Sequence, residues 1–225
     1  MARDRAHELD AELLEIAERD MDVPLSPLGR RQSEALGHWM RTVEAPPDVV
    51  LCSPYVRAVE TAEVVLDTAG LDCELVLDER LREREFGILD LLTRRGIESR
   101  FPAEAERRRR LGKFYHRPPG GESWVDVALR LRSLRDTLGR EHLDDRVLMV
   151  THEVVILLWR YLLERLAERE VLALGAERPI GNCALTTYVT GADQRLALDL
   201  EGWTAPLEHD DVPVTVERDV PIAPR

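Results

Sequence analysis

The sequence predicts an α/β fold, a three-layer αβα sandwich built on a mainly parallel sheet, and three observations lead there. Short apolar runs alternate with longer amphipathic stretches, the pattern of parallel strands covered by helices on both faces. A strand–polar–helix junction occurs twice, at VVLCSPYVRAVETA and at VLMVTHEVVILL. A length of 225 residues, 44% hydrophobic and 33% charged, fits one soluble globular domain with a substantial core.

Taken in order, residues 9–19 (LDAELLEIAER) read as a short amphipathic helix. Ser26 before Pro27 is an N-cap with proline in the first turn, and opens a helix to about Arg41. The apolar run Val49–Cys52 is a strand, and Ser53-Pro54 repeats the start signal for a helix to about Ala69. Glu74–Leu77 is a second strand. Residues 93–117 are highly charged and helical, and end at His116-Arg117-Pro118-Pro119-Gly120-Gly121. Ser123 with Asp126 three residues on forms a capping box for a long helix. Val147–Val150 is a strand, followed by a helix from about Val154. Residues 182–190 and 195–200 are the closing strands, and the Pro- and acid-rich tail from Gly202 reads as a loosely packed extension. No repeat or linker divides the chain, so 1–225 is read as one domain with a lid-like segment at 97–120.

The net charge of −12 argues against non-specific binding to nucleic acid or to an anionic membrane, both of which need a basic surface. It leaves room for a small phosphorylated molecule held by a local arginine cluster. Cys52, Cys73 and Cys183 are scattered, with neither disulfide nor metal-ligand spacing, which fits a reducing cytoplasm and calls for no metal or cofactor. No run approaches the eighteen or more apolar residues of a membrane span, and residues 1–20 lack the apolar core of a signal peptide. Lys113 is the only lysine; every other Lys/Arg position is arginine, as in a GC-rich genome.

In a parallel sheet both strand–polar–helix junctions open on one edge, where α/β proteins build their sites, so Arg57 and His152 are expected to converge. Arg57 falls in the first turn of its helix, where the dipole and free N–H groups favour an anion and a guanidinium grips two phosphate oxygens. A surface salt bridge for Arg57, and a core histidine with one hydrogen bond for His152, are the competing structural readings. Cys52 invites a cysteine-phosphatase reading, yet its Cys-x4-Arg spacing is one residue short and Pro54 removes a backbone donor, so a small buried residue is the better reading. In LREREFG, residues 81–87, Glu83 lies between Arg82 and Arg84. Beside a bound phosphate dianion it could keep a proton for a leaving oxygen; otherwise it is one charge in a solvated run.

LSPLGRRQ, CSPYVRAVETA, LREREFG, GGES and VTHEVV, in this order and spacing, resemble the histidine phosphatase superfamily, the phosphoglycerate-mutase-like fold. The resemblance covers Asp22 to Thr190, and LGKFYHRPPGGESWVDV further resembles its small phosphoglycerate-mutase-like phosphatases. It implies that Arg57 binds phosphate, that Glu83 is the general acid, and that His152 is the second catalytic histidine, binding the phosphoryl group. It also implies a substrate lid over 97–120, with Arg110, Lys113, Tyr115 and Arg117 as candidates, and makes Asn182 a weak candidate. No metal or cofactor is implied.

The sequence departs from that pattern in three places. The family's strand ending in Arg-His-Gly, which carries the phosphorylated histidine, should precede Asp22; the sequence has no such triplet, and His7 follows no apolar strand. Glu153 stands where the family usually has glycine. Glu18-Arg19 stands where mutases carry Thr-Gly. The expected function is therefore hydrolysis of small phosphomonoesters through a phosphohistidine, inactive in this N-terminally short form. The alternatives are a phosphoglycerate mutase and a non-catalytic relative that binds a phosphorylated ligand or a partner protein. A further expectation is that the reading frame continues upstream of Met1 into the Arg-His-Gly strand.

Overall fold

The structure, a computed structural model, describes residues 19–191 and 195–216. The predicted helix over 9–19 and His7 lie outside them, save Arg19. Helix α1 (Pro27–Met40) starts as expected, with the Ser26 hydroxyl accepting from Gly29 N at 3.0 Å. Strand β1 (Val49–Cys52) lies between β2 (Glu74–Leu77) and β3 (Val147–Val150), and both pairings are parallel. Helix α2 (Val56–Ala69) ends at Gly70, whose φ of 68° is the left-handed closure glycine adopts without strain.

β1 organises the core because its side chains alternate between two fully covered faces. Val50 and Cys52 pack with Ala58, Ala62 and Leu66 of α2. Val49 and Leu51 face the opposite layer, formed by Leu131 and Leu134 of α5 (Trp124–Glu141) and Val155 and Leu158 of α6 (Glu153–Leu163). These two clusters are the outer layers of the sandwich, and each Val or Leu side chain buried in them contributes about 1.5–3 kcal/mol. α1 lies behind α2, and there Gly37 is required: a Cβ would sit 2.9 Å from the Val65 carbonyl oxygen. Among the described residues β3 pairs with β1 alone, and its four side chains are only half-buried.

Two stretches of the sequence fold differently from the expectation. Residues 93–117 form two helices, α3 (Arg94–Arg100) and α4 (Pro102–Tyr115), because Phe101 precedes a proline and leaves the helical region. α4 is itself interrupted at Gly112, with φ 79° and ψ 163°. After α6 comes α7 (Glu168–Glu177), then an antiparallel pair, β4 (Leu185–Thr190) and β5 (Leu196–Trp203), in a sheet of its own.

The tail from Gly202 is not a loose extension as far as Val216. Trp203 meets Trp39 edge to face at 5.0 Å, and a short helix α8 (Ala205–His209) buries Leu207 completely against Ala35. Gln32 of α1 then donates to the Pro213 carbonyl at 2.8 Å and the Thr215 hydroxyl at 3.0 Å. Composition suggested looseness; the few apolar residues in it are the ones that dock.

Candidate active site

Because β1, β2 and β3 run parallel, their carboxyl ends deliver Ser53, the loop 78–87 and His152 to one edge of the sheet. His152 follows β3 as the N-cap residue of α6, and Ser53 follows β1 directly. The Ser53 Oγ lies 2.8 Å from His152 Nε2, and both residues are buried. Ser53 does not cap α2 as its Ser-Pro signature suggested. Its hydroxyl instead faces His152 and Tyr55 N, at 3.3 Å, and the helix starts three residues later at Val56.

Tyr55 is the hub of this edge. Its ring meets the His152 imidazole edge to face at 5.0 Å, and the Arg57 guanidinium lies 4.9 Å from the ring centroid. Burial pushes the Tyr55 phenol up to about 12, and the carboxylates of Asp20, Glu85 and Glu83 add to that rise. Arg57 and His152, singled out from separate segments, thus meet at one aromatic side chain, and the charge of Glu83 acts on the same phenol. Arg57 donates to the Asp20 carbonyl at 2.6 Å and to both Asp20 carboxylate oxygens at 3.3 Å. Its guanidinium fork is therefore held by a carboxylate.

Glu83 is 9% exposed, and its Oε1 accepts from Arg84 N at 2.7 Å. Its loop hangs on α5. Arg130 donates to the carbonyls of Arg80 at 2.6 Å and Glu83 at 3.3 Å, and to the Glu122 carboxylate at 3.0 and 3.1 Å. Glu122 in turn accepts from Glu85 N at 3.1 Å. Thr151, before His152, donates to the Leu81 carbonyl at 2.7 Å and ties β3 to the same loop.

A second group of cations gathers beside this edge. Burial and the nearby Arg108 lower the Arg84 guanidinium to about 10, and burial with Arg94 lowers Arg108. Burial and Arg108 bring the Lys113 amine down to about 7, against the pull of Glu153 and Glu83. Lys113 Nζ lies 4.7 Å from the centroid of the buried Trp124 ring. Glu153 accepts from Ile180 N at 3.1 Å. Cations crowded into a half-buried space and depressing one another form a natural receptor for an anion.

The lid candidates divide. Lys113 turns inward, whereas the exposed ends of Arg110, Tyr115 and Arg117 are engaged by Glu106, Glu168 and Asp126. Asn182 points to the C-terminal segment, its Nδ2 donating to Thr215 Oγ1 at 2.7 Å, and is not brought to this edge. Sequence reading passed over Ser53, Tyr55, Asp20 and Arg84, and took Arg108 only as one of the run Arg107–Arg110 in the lid segment. Ser53 was masked by its capping signature, and nothing in the run Arg107–Arg110 singles out the inward member. The Cys52 thiol is pushed up to about 12 by burial and donates to the Ser53 carbonyl at 3.2 Å, the opposite of an activated thiolate. Among the described residues, no group of three or more His, Cys, Asp or Glu is placed to hold a metal ion, and no helix is long and apolar enough to cross a membrane.

Residues 7–201 match the family model of the histidine phosphatase superfamily (branch 1). A 6-phosphofructo-2-kinase/fructose-2,6-bisphosphatase of Caenorhabditis elegans is 33% identical over 135 residues, 60% of this chain and 28% of that protein. A probable phosphoglycerate mutase of Yersinia enterocolitica is 30% identical over 137 residues, 60% of each. The chain thus spans at most three fifths of these curated relatives. Among solved structures, a mycobacterial glucosyl-3-phosphoglycerate phosphatase superposes with a TM-score of 0.65 at 30% identity, covering 83% of this chain and 89% of that one. YhfR of Bacillus stearothermophilus, at 23% identity, shares the fold with a TM-score of 0.69 over 90% of this chain and 93% of its own. The chain belongs to the histidine phosphatase superfamily.

Proposed function

We propose that this histidine phosphatase relative acts on small phosphomonoesters that carry a second anionic group. The observation that supports this most is that two groups of candidate anion-binding side chains lie at one sheet edge: Arg57 with His152, and Arg84 with Arg108 and Lys113. In this reading Arg57 and His152 hold the phosphoryl oxygens and neutralise charge that develops as the ester P–O bond breaks. Glu83 gives its proton to the leaving oxygen, a step that typically contributes ~10²–10⁴-fold. The second region takes the carboxylate or phosphate at the far end of the substrate. The similarity to a glucosyl-3-phosphoglycerate phosphatase and to a fructose-2,6-bisphosphatase supports a substrate with two such groups. Transfer through a phosphohistidine splits hydrolysis into two easier displacements. A mutase would use the same groups and return the phosphoryl group to an alcohol in place of water.

A second reading, a relative that binds phosphorylated ligands without turnover, is favoured by one observation: Asp20 holds the fork of Arg57. The deciding experiment measures phosphate release by the full chain from a panel of esters with and without a second anion, beside orthovanadate binding. Release that is fastest for doubly anionic esters supports the first reading. Vanadate binding with no release of phosphate supports the second. Neither binding nor release would sink both.

A further inference from the structure

We propose that Ser53 is a positioning residue for His152: its hydroxyl donates to Nε2 and holds the neutral imidazole as the Nδ1–H tautomer, so that Nδ1 is the nitrogen that donates to a phosphoryl oxygen. The last step rests on the phosphate-binding role proposed for His152; the tautomer does not.

Hydrogen-bond accounting carries the assignment. A serine hydroxyl has one proton and two lone pairs. Ser53 is 0% exposed, so solvent does not take the proton. Among the described residues its oxygen meets two partners, Tyr55 N at 3.3 Å and His152 Nε2 at 2.8 Å. A backbone N–H can only donate, so the imidazole nitrogen is the partner left to accept. Were Nε2 protonated, the hydroxyl would face two donors and its own proton would be buried without an acceptor. That penalty disfavours the Nε2–H tautomer by about tenfold or more. Which ring nitrogen of a histidine carries the proton is set by the bond the other one makes.

The backbone fixes this pair in place. Cys52 lies beside Val150 in the parallel ladder, and Ser53 N donates to the Val150 carbonyl at 2.9 Å. Serine and histidine therefore leave neighbouring strand ends, and the hydroxyl reaches the ring without a long, mobile side chain. The Tyr55 ring, edge to face with the imidazole at 5.0 Å, limits its rotation. Nε2 is thus occupied on the closed side, while His152 keeps 9% of its surface open. Whatever the Nδ1–H serves in the free chain, a phosphoryl oxygen arriving beside Arg57 competes for it. The neutral ring already offers that donor, and the serine keeps it from being lost to the other nitrogen.

The test is ¹⁵N NMR of the full chain, labelled on histidine, at about pH 8, where an ordinary imidazole is neutral. His152→Gln identifies the His152 signals by their loss. The expected spectrum has a bare nitrogen at Nε2 and a protonated one at Nδ1, and orthovanadate should shift the Nδ1 signal. Ser53→Ala should bring in the Nε2–H form and weaken orthovanadate binding by about tenfold, the worth of one buried hydrogen bond to a charged ligand. A proton on Nε2 in the parent chain, alone or on both nitrogens, would overturn the proposal, and this holds even if Ser53→Ala does not fold by circular dichroism. So would a folded Ser53→Ala chain that keeps the parent tautomer or binds orthovanadate as tightly. A Ser53-dependent Nδ1–H tautomer in a chain that binds no orthovanadate would leave the assignment standing and remove the phosphate-binding reading instead.

Discussion

Replacing Asp20 by asparagine should make the protein bind phosphate and orthovanadate about tenfold more tightly. Any anion that reaches Arg57 must take the guanidinium from Asp20, whose carboxylate oxygens lie 3.3 Å from Nη1 and Nη2. The side chains are 25% and 12% exposed, so solvent screens the pair only modestly. Hydrogen bonds to charged groups are worth about 1.5–3 kcal/mol net, and these are longer than the 2.7–2.9 Å of strong ones, which puts the pair near the lower bound. Asparagine keeps the shape and removes the charge, so about 1.4 kcal/mol returns to the ligand, a factor of about ten. Titration calorimetry with orthovanadate at an ionic strength of about 0.15 M reads it, and the gain should survive higher salt because the pair is partly buried. In an Arg57→Gln background the same substitution should change affinity by less than about twofold, since coupled residues are not additive. Unchanged or weaker binding by Asp20→Asn would refute the reasoning and make Asp20 a support for Arg57 instead of its competitor.

Other consequences are open to direct measurement. Ser53→Ala should cost about 1 kcal/mol in chemical denaturation, the net worth of the buried bond to His152, and weaken orthovanadate binding through a less fixed imidazole. Gly87→Ala should lower Tm by about 5 °C or more: its φ is 56°, and a Cβ would meet the Pro119 carbonyl oxygen at 2.2 Å. Leu134→Ala, in the fully buried layer under β1, should cost about 2–5 kcal/mol. His116 is 1% exposed and burial lowers its value, with Arg108 and Arg84 adding to that and Glu104 opposing it. The folded state therefore resists its protonation, so this contribution to stability is intact above the unfolded value of about 6.5 and is lost as pH falls below it. Melting curves between neutral and mildly acid pH should accordingly fall less steeply for His116→Gln than for the parent chain.

The sheet was legible because Val49–Cys52, buried on both faces, is a continuous apolar run, and the less covered Glu74–Leu77 and Val147–Val150 also stand where the alternation with helices puts them. The Ser123–Asp126 capping box was equally readable, since both its bonds are local. What failed was whatever depends on a distant partner. Ser53-Pro54 has the local chemistry of a helix start, but a histidine ninety-nine positions away takes the hydroxyl. The tail gave no apolar period, because Leu207 and Val212 dock singly on α1. At this edge, the two strand–polar–helix junctions pointed to Arg57 and His152, whereas Arg84 had no local signal and Arg108 could not be told from its neighbours in the run Arg107–Arg110. Which arginine of a run turns inward is decided by the phase of α4 and by Phe114, which packs on Trp124 and Tyr161.

The Glu122–Arg130 pair has a bearing on how such a protein changes over generations. It fastens the Glu83 loop to α5 and the sheet, while the cations that would select a ligand belong largely to α3 and α4. In the proposed reaction, proton delivery and ligand choice thus have separate mechanical supports. Drift or selection can rewrite the charged faces of 94–115 while leaving the acid where it is, provided Phe114 stays as the anchor. A graft of that segment from a relative, joined at Thr93 and His116, would move preference as an inherited cassette and leave the reacting edge untouched.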